Sequence, residues 1–82
     1  MPIILAAVEK VDTRTVKTKR GWVPKYDVYI GKDRNPVETF SQWHASLCQR
    51  AHDTDQRVVL GVKDSAWGSE IVTAELEQGT RH

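Results

Sequence analysis

Apolar and β-branched residues dominate the chain from Ile3 to about Val16. That composition predicts one long strand, bent or bulged near Lys10 to Thr13, where polar residues interrupt it. Lys17 to Gly21 is polar, and its glycine suits a left-handed turn position. From Trp22 to Ile30 the residues alternate: Trp22, Tyr26, Val28 and Ile30 share one face, and Val23, Lys25, Asp27 and Tyr29 share the other. This is a second strand. Gly31 to Pro36 is rich in turn formers, and Val37 to Phe40 predicts a short third strand.

The periodicity then changes. Ser41 is a good helix N-cap, and residues Gln42 to His52 contain no Gly, Pro or β-branched residue. Trp43, Leu47 and Ala51 recur at helical spacing, which predicts a buried stripe. Asp53 to Asp55 closes the helix. Arg57 to Lys63 predicts a fourth strand, Asp64 to Ser69 a loop holding Trp67, and Glu70 to Leu76 a fifth strand. Residues 1–76 read as a single domain and residues 77–82 as a flexible C-terminal tail. No repeat or low-complexity tract interrupts this order.

The length of 82 residues is close to the lower limit for one self-sufficient core, and 39% hydrophobic content is enough for a globular fold. The net charge of +1 creates no strong overall field, but its distribution is uneven. Residues 1–34 carry eight Lys/Arg against four Asp/Glu, and residues 35–82 carry four against seven. A basic face with an acidic back is one way to arrange that asymmetry. Cys48 is the single cysteine, so no intramolecular disulfide can staple the chain, and a reducing, cytoplasmic setting is expected. The apolar start is too short to cross a bilayer and has no basic leader, so it reads as strand rather than signal peptide.

The concentrated chemistry lies around the first hairpin. Arg14, Lys17, Lys19, Arg20 and Lys25 fall within twelve positions that contain no acid, with Trp22, Tyr26 and Tyr29 beside them. Cations track phosphates, and aromatic rings stack on bases. A solvated hairpin tip with core aromatics would have the same composition. His44, Cys48 and His52 sit four residues apart along the helix, but the outer two are about 12 Å apart, too far for one metal ion. No metal site or other cofactor is predicted. No catalytic triad, acidic pair, phosphate-binding loop or dinucleotide fingerprint is present, so an enzyme is not predicted.

The order strand–strand–strand–helix–strand–strand, with Thr18 to Trp22, Tyr26 to Ile30, Glu38 to Phe40 and Gly68 to Val72 at its turning points, resembles a small OB-fold domain that binds single-stranded nucleic acid. A small SH3-like barrel is the main rival, and the helix of eleven residues argues against it. The resemblance implies an all-β fold with one helix: a five-stranded barrel with the helix between its third and fourth strands. It also implies a ligand lying over the second and third strands between the first and last strand-to-strand loops. Each of those loops holds a tryptophan, Trp22 and Trp67. The implied binding residues are Lys17, Lys19, Arg20, Trp22, Lys25, Tyr29, Lys63 and Trp67. Phe40 and Trp43 are expected to anchor the helix. The expected function is non-catalytic binding of single-stranded nucleic acid, DNA in preference to RNA, with low sequence specificity. The alternatives are a protein-interaction module or small inhibitor using the same basic face on an acidic partner, and a subunit whose exposed aromatics build an oligomer.

Overall fold

The computed structural model describes residues 2–31, 35–66 and 68–77. The chain is mostly β, with one helix packed on a single six-stranded sheet. The strands are β1 (Ile3–Ala7), β2 (Lys10–Thr18), β3 (Gly21–Tyr29), β4 (Val37–Thr39), β5 (Arg57–Ser65) and β6 (Gly68–Leu76), with α1 (Gln42–Asp53) between β4 and β5. Their order in the sheet is β1-β5-β6-β4-β3-β2. All pairs are antiparallel except β4 with β6, which is parallel and joins Val37 to Ser69 and Glu38 to Glu70.

The expected long first strand is two strands. The break falls at Val8 and Glu9, before the expected bend. Val8 turns into the core at 6% exposure, and its carbonyl oxygen lies 3.0 Å from Nδ1 of His52. The Glu9 amide donates to the Tyr29 carbonyl at 2.6 Å, which starts the ladder with β3. β1 therefore pairs with β5 while β2 pairs with β3, at opposite ends of the strand order. The sheet has six strands rather than five and does not close into a barrel.

Two hairpins dominate the sheet, and their tips share one design. Thr18 pairs with Gly21 across two turn residues, and Ser65 pairs with Gly68 at the end of the second hairpin. In both, the hydroxyl donates to the glycine carbonyl at 3.0 Å. Gly21 has φ +107° and Gly68 has φ +128°, a region that L side chains rarely adopt. The expected polar loops are thus tighter than the sequence predicts, and the strands run longer.

The core is built from alternate residues of the strands. Leu60, Val28, Val58 and Cys48 are its largest fully buried side chains, joined by Val37, Val62 and Ile71. Ser41 caps α1 by accepting from the His44 amide at 3.2 Å. The helix buries Ala45, Cys48 and Ala51, and Leu47 packs partly against the core. The buried stripe is rotated from the expected one: Ala51 keeps its place, but Trp43 is 65% exposed and is not the buried anchor expected from sequence. Spacing of three residues along the helix, with small side chains, lets α1 approach the sheet closely. Among the described residues no helix is long and apolar enough to cross a membrane. The Glu77 amide donates to the Arg57 carbonyl at 2.9 Å. The Glu77 carboxylate holds the Arg57 side chain through two hydrogen bonds of 2.8 and 2.9 Å, and residues 78–82 lie outside the described residues.

Candidate nucleic-acid interface

Cross-strand partners point to the same side of a sheet, so the register assigns each candidate residue to a face. On the side away from the core, one row crosses five strands: Asp12, Asp27, Glu38, Glu70 and Lys63. The next row pairs Arg14 with Lys25, and the row on the other side pairs Lys10 with Tyr29. Basic residues thus flank a line of four carboxylates.

These charges are largely paired with one another. Arg14 Nε donates to Asp27 Oδ2 at 2.8 Å, and a second guanidinium nitrogen lies 3.3 Å from Glu38 Oε2. Lys25 Nζ lies 2.6 Å from Glu38 Oε1 and 4.8 Å above the Phe40 ring. The hydrogen bond to Asp27 raises the Arg14 pKa above its ordinary value. Asp27 is only 8% exposed, and its Oδ1 has no hydrogen-bond partner among the described residues. The network explains how a carboxylate can be buried on a strand whose alternation predicts an outward position.

A cleft of about 440 Å³ opens on this face between the two hairpin ends. Val16, Lys17 and Lys25 line it from the first hairpin, Glu38 and Phe40 from β4 and the residue after it, and Ser69 and Glu70 from β6. Phe40 is 47% exposed here, so it is a cleft residue and not the anchor expected from sequence. The missed signal was the alternation of Glu38 with Phe40, which puts both on the face of Lys25.

The predicted residues do not come together in one place. Lys17 and Lys25 line the cleft. Lys19 and Arg20 form the exposed tip of the first hairpin, and with Lys17 they make no ion pair among the described residues. Trp22 is 67% exposed and pairs across the hairpin with Lys17, whose ammonium lies 5.9 Å from its ring. Tyr29 and Lys63 share the outward face but lie outside the cleft, and Tyr29 carries Lys10 at 4.8 Å over its ring. Trp67 lies outside the described residues.

On the helix, Cys48 is fully buried and dry surroundings raise its thiol pKa to about 11. Among the described residues no cluster of three His, Cys, Asp or Glu could hold a metal ion. No family model, no curated protein and no solved structure matches the chain.

Proposed function

We propose that this chain is a non-catalytic binder of single-stranded nucleic acid, DNA in preference to RNA, which lies in the cleft between the two hairpin ends. The observation that carries this reading is the make-up of that cleft. An exposed aromatic ring, Phe40, lines it, and of three cations without carboxylate partners among the described residues, Lys17 lines it and Lys19 and Arg20 form the adjoining hairpin tip. Phosphates would follow the cations while a base stacks on Phe40. The strand order also supports a curled, partly open relative of the OB barrel. β1 and β2, at opposite ends of that order, are separated only by Val8 and Glu9, and the helix connects β4 to β5.

The test is a titration of intrinsic tryptophan fluorescence with single-stranded oligonucleotides at about 50 and about 200 mM salt. Binding should weaken as salt rises. Replacing Lys17, Lys19 and Arg20 together by alanine should lower the log–log salt slope by about 2, or about 0.7 per lost phosphate contact. Unchanged affinity and slope in a folded triple variant would reject the hairpin tip as the phosphate contact. A second reading, docking of a protein on the same face, is favoured by the neutralisation of Arg14 and Lys25 by Asp27 and Glu38. Absence of oligonucleotide binding even at low salt would select it.

A further inference from the structure

A negative side chain in a cleft built for a polyanion has to be accounted for. Glu38 is accounted for by Lys25 and Arg14. Glu70 is not. It lines the cleft beside Glu38, its parallel partner on β4, is exposed to solvent, and joins no ion pair among the described residues. Lys63, its cross-strand neighbour on β5, is on the same face but outside the cleft lining, and among the described residues it makes no ion pair with Glu70. Near a phosphate Glu70 would only repel. Near a base edge it has a favourable role, because a carboxylate accepts hydrogen bonds from exocyclic amino groups. Cytosine, adenine and guanine carry such a group. Thymine and uracil offer only a ring N3–H set between two carbonyl oxygens, which repel a carboxylate.

The cleft gives the bases a reason to face Glu70. The free cations Lys17, Lys19 and Arg20 stand at the end of the first hairpin, while Glu70 lies on the far wall formed by β6. Phe40 lies between, following β4, the strand that separates β3 from β6. A strand whose phosphates follow the hairpin tip would stack a base on Phe40 and extend that base's edge toward β6. Resting on the proposed binding of single strands, we infer that Glu70 is a specificity residue: it accepts from the exocyclic amine of a base held on Phe40, so the cleft prefers amino-bearing bases over thymine. The low sequence specificity expected from the sequence is thereby replaced by a defined preference.

The experiment measures anisotropy of labelled oligo(dC) and oligo(dT) of equal length, at one salt concentration and neutral pH, with wild type and with Glu70→Ala. Wild type should bind oligo(dC) more tightly, by roughly five- to tenfold, below the full discrimination of a bidentate base contact. In Glu70→Ala the two ligands should move in opposite directions. Oligo(dC) loses its acceptor and weakens, and oligo(dT) loses a repelling charge and tightens, so the preference collapses toward unity. Glu70 is exposed, and a melting curve confirms that the variant is folded. Equal binding of both ligands by wild type, or equal tightening of both in Glu70→Ala, overturns the inference and leaves the binding reading standing. Binding of neither ligand by wild type overturns both.

Discussion

Leu60 is the residue on which the core can be tested most directly. It is fully buried at the middle of β5, with Ile4 of β1 on one side and Ala74 of β6 on the other. Ordered strands on both sides leave little room for the backbone to collapse into a void. Leu60→Ala should therefore fall in the upper part of the range for such truncations, about 3–5 kcal/mol. A chain of 82 residues is expected to be stable by roughly 4–12 kcal/mol, so this single change removes a large part of the total. A loss of about 4 kcal/mol corresponds to a fall in Tm of roughly 16–32 °C. Urea unfolding followed by far-UV circular dichroism measures the loss, and the control is Val72→Ala. Val72 lies on β6 but is 43% exposed, and its truncation should cost within about 1 kcal/mol. If both variants lose the same amount with unchanged m-values, the assignment of Leu60 to an enclosed core and Val72 to the surface is wrong.

Two further outcomes follow from burial. Trp43→Ala should cost about 1 kcal/mol or less in the same urea assay, because the ring is 65% exposed. A loss of about 3–5 kcal/mol, the range for a buried aromatic, would restore Trp43 as the helix anchor. The raised pKa of Cys48, about 11 against an ordinary 9.0, means that the folded state holds the thiol proton more tightly than the unfolded state. Its contribution to stability is complete below pH 9 and is lost as pH rises from about 9 to about 11. Wild type should lose more stability over that interval than Cys48→Ala. Parallel pH profiles for the two proteins would contradict the burial.

Much of the fold is legible because local and tertiary preferences agree. The run from Trp22 to Ile30 alternates as a strand should, and β3 ends one residue earlier. Ser41 followed by residues that favour a helix gives α1 to within one residue. Other features depend on distant partners. The break at Val8 depends on the Tyr29 carbonyl and His52, neither of which is adjacent in sequence. Trp43 falls in the expected buried stripe by its helical spacing with Leu47 and Ala51, yet Ala45 and Cys48 take that side of the helix, where short side chains allow close packing. In the candidate site, the basic hairpin is read directly from the sequence. That Lys25 is held by Glu38 and Phe40, and that Asp27 is buried beside Arg14, depends on the register of three strands. The sequence marks Lys17 to Gly21 and Asp64 to Ser69 as polar loops, but the hydroxyl-to-glycine bond shared by Thr18–Gly21 and Ser65–Gly68 requires the antiparallel pairing around them.

β4 is three residues long and carries the only parallel pairing among the described residues, through two residue pairs. So short a ladder can hold little by backbone bonds alone. Val37 and Thr39 are 3% and 2% exposed, so the seam between the two hairpins is fixed mainly by what lies beneath it. Glu38, between them, points into the cleft. Interior and cleft are therefore one part in mechanical terms. A methyl group added or removed under Val37 would move the carboxylate that holds Lys25, and with it the spacing between the two walls. Drift in the ligand preference of such a cleft can thus arise from conservative exchanges in the core, with no change to any residue that faces the ligand.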